Sequence, residues 1–167
     1  MTIWADGDSL QAELRGLLCR RSKAEAAAAA REGRDARYKV VFVAARAPSL
    51  ERGPGVELLL VEGGPGAADD RIAALARPGD LAVTRDTPLQ ERLAALGLAV
   101  LNDRGEVLDE GAARERRSAR DRAAELRALG LAPESPRRRS WGARELKAFA
   151  DAFDRELSRA LARLPKA

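Results

Sequence analysis

Five short apolar runs, separated by turns and helix-period segments, constrain the fold of this 167-residue chain more than any other feature. They are Thr2–Ala5, Tyr38–Ala44, Val56–Val61, Leu81–Thr84 and Leu98–Leu101. Brief apolar runs bounded by Gly, Pro, Asp and Asn read as buried strands. After the first run the period changes. Leu10, Leu14, Leu17, Leu18 and Arg21 recur at helical spacing behind Ser9, a residue type that caps helices. The Ala26–Ala30 run prolongs that helix and Gly33 stops it. Pro48 to Gly55 is loop. A short helix opens at Ala68-Asp69-Asp70, with Ile72, Leu75 and Ala76 inward, and ends at Pro78-Gly79. Another begins at Thr87-Pro88, carries Leu89, Leu93 and Leu96 as its stripe, and ends at Gly97.

Strands that alternate with helices predict a three-layer α/β domain whose central, mostly parallel sheet of about five strands is covered on both faces. Beyond the turn at Asn102–Gly105 the pattern is helical only. It predicts two C-terminal helices, over about 112–129 and from Gly142 to Leu164. Leu146, Phe149, Phe153, Leu157 and Leu161 form one face of the second. The chain reads as one domain, 1–167, with an α/β core over 1–110 and a basic helical segment over 111–167.

In open parallel sheets, function gathers beyond the C-terminal ends of the strands. Asp6 and Asp8 follow the first strand, Asp69 and Asp70 start the helix after the third, and Asp86 follows the fourth. Topology directs all five to one rim. Clustered carboxylates raise one another's pKa values and strain the fold unless a cation joins them. A hard ion, Mg²⁺ or Mn²⁺, prefers oxygen ligands and keeps several waters, so a few carboxylates are enough. The predicted metal residues are Asp6 and Asp86 at the centre, with Asp8, Asp69 and Asp70 around them. Asp8 and Asp69 also serve as candidate water-orienting bases. The chemistry such a centre suits is phosphodiester hydrolysis. Asp103, just after the fifth strand, is an outlying candidate on the same rim. Asp80 precedes the fourth strand, at the opposite edge, and reads as a turn residue.

Composition narrows the choice to the same chemistry. The chain has no histidine and one cysteine, Cys19. A Ser-His-Asp triad, a Cys-His dyad, His-ligated zinc or haem, and an internal disulfide are all excluded. No stretch approaches the roughly 20 apolar residues of a membrane span, and the N-terminus lacks a signal-peptide pattern. A reducing cytoplasm and no membrane partner are the expectation.

These blocks also carry a family resemblance. Thr2-Ile-Trp-Ala-Asp-Gly-Asp8, Ala68-Asp-Asp-Arg-Ile72, Gly79-Asp-Leu-Ala-Val-Thr-Arg-Asp-Thr-Pro-Leu89, Arg104-Gly-Glu106 and Ser118-Ala-Arg-Asp121 with Leu126-Arg127 resemble successive blocks of the YaiI/YqxD family. That family is placed among PIN-like folds, which are mostly metal-dependent ribonucleases with an acidic cluster at the sheet rim. The resemblance implies a PIN-like fold, RNA as the substrate, and metal or water-positioning roles for Asp6, Asp8, Asp69 and Asp86. The chain departs from the family where its first motif reads Asp6-Gly-Asp8-Ser-Leu-Gln11, without the family's following cysteine and proline. Ala45 stands where the family usually has Asn, and Gly66 where it has Asp.

Two other readings remain at this level. Asp6-Gly-Asp8-Ser9 after an apolar strand also resembles the first motif of haloacid-dehalogenase phosphatases, with Asp6 as nucleophile and Asp8 as general acid. Their later lysine has no counterpart: Lys39 comes too early and Lys147 falls in the terminal helix. The other reading is a nucleic-acid-binding or interaction protein on a decayed nuclease fold. Residues 1–110 carry 15 cations and 18 carboxylates, a net of −3, whereas 111–167 carry 15 and 8, a net of +7. Arginine grips phosphate with a planar fork. Arg137, Arg138 and Arg139, in a Pro/Ser-flanked linker, and Arg85 beside the acidic rim are the predicted nucleic-acid contacts. Trp4 and Cys19 read as core. Trp141 reads as packing back on the sheet.

Overall fold

The computed structural model describes residues 1–128 and 140–164. Arg137, Arg138 and Arg139 lie outside the described residues. The elements run β1 (Thr2–Asp6), α1 (Ala12–Glu32), β2 (Lys39–Ala44), β3 (Val56–Leu60), α2 (Ala67–Leu75), β4 (Leu81–Val83), α3 (Thr87–Ala95), β5 (Ala99–Leu101), β6 (Val107–Leu108), α4 (Glu110–Ala128) and α5 (Ala143–Arg163). The strands form one six-stranded sheet in the order β3-β2-β1-β4-β5-β6. The first five strands are parallel and β6 is antiparallel to β5.

The alternating sides of each strand feed two cores. On one side Ile3, Ala5, Val40, Phe42, Leu81 and Val83 pack with Leu14 and Leu18 of α1 and Phe149 and Phe153 of α5. On the other side Trp4, Val41, Val43, Ala82 and Val100 pack with Ile72 of α2 and Leu89 and Leu93 of α3. Burial on both faces explains why the strands are continuous apolar runs rather than alternating ones. Each fully buried Leu, Ile or Phe contributes roughly 1.5–3 kcal/mol relative to an exposed one. The result is the three-layer α/β arrangement, with one short strand more than the sequence indicates.

Two local readings change. Ser9 does not cap α1. The N-cap is Gln11, whose side chain makes no capping bond; the Ser9 hydroxyl instead accepts the backbone N–H of Arg85, 3.2 Å away. A tertiary tie to the β4–α3 loop has displaced the local cap. Strand β6 was not expected. It is paired through the tight Asn102–Gly105 turn, where Gly105 has φ 78° and a Cβ would lie 2.6 Å from the Ala148 carbonyl oxygen of α5. The position therefore requires glycine.

Trp4 is core, and its indole N–H donates to Asp80 at 3.0 Å. Asp80 also accepts the N–H groups of Thr2 (2.9 Å) and Arg77 (3.1 Å). It is a turn residue at the edge opposite the acidic rim, and it anchors the start of β1. Cys19 is buried, and burial pushes its thiol pKa up. Among the described residues no helix is long and apolar enough to cross a membrane.

Candidate functional site

The connections place the site. Helix α1 joins β1 to β2 on one face, whereas α2 and α3, which lead into β4 and β5, lie on the other. The chain therefore changes face between β1 and β4, its central neighbours. A crevice opens beyond the carboxyl ends of strands at such a switch point. Here it is a cleft of about 540 Å³. Asp6, Asp8, Asp69 and Asp86 line it, with Arg46 and the Gly63–Gly66 loop.

Asp6 ends β1 and is only 4% exposed. One carboxylate oxygen accepts the hydroxyl of Thr84 at 2.7 Å and the other the N–H of Ser9 at 3.2 Å. The Thr84 hydroxyl in turn accepts the N–H of Asp86 at 3.1 Å. Asp86 is the N-cap of α3, its Oδ1 accepting the N–H of Leu89 at 2.7 Å. Capping holds the Asp86 side chain in one orientation and leaves Oδ2 outside that bond. Asp8 is exposed, and its Oδ2 accepts the N–H of Ala45 at 2.7 Å, which ties the β1–α1 turn to the end of β2.

Asp69 lies in the first turn of α2, half-buried. Its carboxyl pKa is raised, first by burial and then by the negative charges of Asp6, Asp86 and Asp70; Arg92 opposes the shift. Its side chain makes no hydrogen bond among the described residues. Asp70 departs from its neighbours. It is exposed, pairs with Arg92 and does not line the cleft. Four of the five predicted metal residues thus share one cleft. Among the described residues no three acidic side chains already stand together as a ligand cage.

Asp103 and Arg85 belong to a neighbouring groove. Asp103 accepts the side-chain amide of Gln11 at 3.0 Å and pairs with the Arg85 Nε at 3.2 Å. Three contributors escaped the sequence reading: Thr84, which links the two buried-side aspartates, Ser9, which links their loops, and Arg46 on the cleft wall. Thr84 had one signal, a hydroxyl two residues before the strand-end aspartate.

The chain matches the model of a family described as uncharacterised BCR, YaiI/YqxD family, over residues 23–159. A UPF0178 protein of Treponema pallidum (strain Nichols) is 41% identical over 161 residues, covering 96% of this chain and 84% of its own. A UPF0178 protein of Myxococcus xanthus (strain DK1622) is 38% identical over 166 residues, covering 99% and 100%. One from Xanthomonas campestris pv. campestris (strain 8004) is 40% identical over 164 residues, covering 96% and 92%. No solved structure matches the chain with comparable significance.

Proposed function

Because the chain belongs to the YaiI/YqxD family, whose relatives carry names without an activity, we propose its function from the site itself: Mg²⁺- or Mn²⁺-dependent hydrolysis of phosphodiester bonds, with RNA as substrate. One observation carries this reading. Asp6, Asp69 and Asp86 come from three separate segments to one crevice, close enough that the first and last raise the pKa of the second.

The donor set suits a hard cation. It is all carboxylate, it contains no nitrogen or sulfur ligand, and Asp69 is a half-buried acid with no hydrogen-bond donor of its own. Mg²⁺ and Mn²⁺ sites are commonly built from one or two direct carboxylates with water completing the shell, so a preformed three-carboxylate cage is not required. Asp6 and Asp86 would hold the ion, with Asp69 and Asp8 reached directly or through water. When bound, such an ion offsets the negative charge that develops on the phosphate oxygens.

The chain's own groups supply position and proton handling. Thr84 fixes Asp6 against Asp86, and the cap of α3 fixes Asp86. Asp69 holds a proton more readily than an ordinary aspartate, which suits a group that accepts one from water. Arg46 is the cationic side chain among the cleft-lining residues, at a place where a substrate phosphate can meet it.

A second reading has a specific observation behind it. Residues 111–167 carry a net charge of +7, which suits a nucleic-acid-binding protein whose acidic rim no longer reacts. The phosphatase reading has lost ground, because no lysine among the described residues lines the cleft. Incubation of end-labelled single-stranded and duplex RNA and DNA with Mn²⁺, with and without chelator, separates these readings. Chelator-sensitive cleavage supports the nuclease. Binding without cleavage by any metal supports the binding protein.

A further inference from the structure

A second groove of about 750 Å³ adjoins the acidic cleft, and Ser9 and Asp86 line both. Its volume lies within the range of small-molecule sites. Arg85, Arg104, Asn102 and Trp141 contribute to its walls. Its chemistry differs from that of the cleft. Asp103 and Glu106 bring negative charge, but the Asp103 carboxylate is paired with Arg85, and Glu106 accepts the Asn102 side-chain amide at 2.8 Å. Arg104 faces Glu145 at 3.6 Å. With Asp86 the lining carries two cations and three carboxylates, so the groove is slightly acidic and is no funnel for a polyanion.

What it offers is an anchored aromatic ring and an anchored guanidinium. Trp141 is half-buried, and its N–H donates to the Asp103 carbonyl at 2.9 Å. That bond uses the indole's one donor, and the ring packs in part against the core on the α1 and α5 side, so what it has for a ligand is the part of its π surface that lines the groove. The Arg85 side chain is 46% exposed. Its Nε is held by Asp103 and its Nη1 by the Ser9 carbonyl at 3.3 Å. Nη2 is left without a partner among the described residues.

We propose that this groove is a nucleoside subsite, in which a base of a single-stranded nucleic acid stacks on Trp141 while Arg85 holds the adjoining phosphate next to Asp86. The proposal rests on the acidic cleft as the place of phosphodiester hydrolysis, and it adds the strandedness of the substrate. A paired and stacked base has no free face for Trp141, whereas an unpaired one has. A lining without excess positive charge makes stacking the main contribution, so affinity should depend on salt less steeply than for a basic groove.

The test is binding of a fluorescein-labelled RNA hexanucleotide, and of a duplex of related sequence, to the full chain in EDTA, read by polarisation and by tryptophan emission. The chain has two tryptophans, and Trp4 is buried against Asp80 at the other edge of the sheet. Quenching therefore reports on Trp141. The expected result is quenching by the single strand and weaker binding of the duplex. Trp141→Ala should weaken binding on the order of tenfold or more, and Trp141→Phe should restore most of it. Arg85→Ala should weaken it as well, with melting temperatures confirming folded variants. Unchanged affinity in both Trp141→Ala and Arg85→Ala, preference for the duplex, or no binding overturns the subsite. Binding that depends on Trp141 in a chain that cleaves nothing with Mn²⁺ leaves the subsite standing and removes the nuclease. Metal-dependent cleavage with affinities indifferent to Trp141 does the reverse.

Discussion

The hydroxyl of Thr84 donates to the Asp6 carboxylate at 2.7 Å and accepts the backbone N–H of Asp86 at 3.1 Å. One side chain thereby spaces the two aspartates that flank the crevice. Thr84 is 1% exposed, so neither bond can be replaced by bulk water. Thr84→Val keeps the shape and deletes the hydroxyl, leaving a buried carboxylate oxygen and a backbone N–H short of a partner. The expected loss of stability is about 1–3 kcal/mol, measured by denaturant unfolding. Thr84→Ser should recover most of it. Mn²⁺ affinity should fall in the valine variant and not in the serine variant.

Asp69 gives a pH signature. Its raised pKa means that the folded chain holds this proton more tightly than the unfolded chain does. The ionised form therefore costs stability at neutral pH. That cost fades as pH falls through the raised value and is gone below the ordinary aspartate value of about 3.9. In EDTA, Asp69→Asn should be at least as stable as the parent at pH 7, and the two should converge in acid. Added Mn²⁺ should reverse the order, because only the parent keeps that acid as a ligand. Thermal melts across pH, with and without Mn²⁺, check both halves.

Asp80 supplies the contrast. Two of its hydrogen bonds hold the start of β1 and the third holds its own turn at Arg77, at the end of the strands opposite the cleft. Asp80→Ala should cost about 2–4 kcal/mol, since it strips a charged acceptor from three donors, one of them the indole of Trp4. Mn²⁺ affinity in the folded fraction should be unchanged. A destabilised chain with weakened metal binding would mean that the two edges are coupled.

Cys19 should be inert. It is fully buried and its thiol pKa is raised by that burial. Thiol labelling in native buffer should be slow and should rise to the free-thiol rate only in denaturant. Fast labelling of the native chain would contradict the packing of α1 against the sheet.

Most of the scaffold was legible in the sequence because the strands are buried on both sides. Val40–Val43 and Leu81–Val83 are unbroken apolar runs that turns delimit. The rim was legible too, since every residue just past a parallel strand arrives at the same edge. Three features were not. Strand β6 is two residues long, too short for any period to show. Ser9 has the chemistry of a helix cap, but its hydroxyl serves the distant N–H of Arg85. Asp69 and Asp70 are equivalent as letters, yet consecutive helix positions point about 100° apart. One therefore enters the cleft while the other turns to Arg92. Register and rotation of this kind arise from packing, which a linear pattern does not contain.

The proposed function requires a divalent ion among Asp6, Asp69 and Asp86. Anomalous diffraction from Mn²⁺-soaked crystals, collected for the parent and for Asp86→Asn, tests it most directly. Asparagine preserves the cap of α3 and removes the charge. The expected result is one strong manganese peak in the crevice between the ends of β1 and β4, within direct or water-bridged reach of these carboxylates, and its loss in the variant. A parent crystal with no manganese in that crevice, or a peak there that Asp86→Asn leaves unchanged, would contradict it.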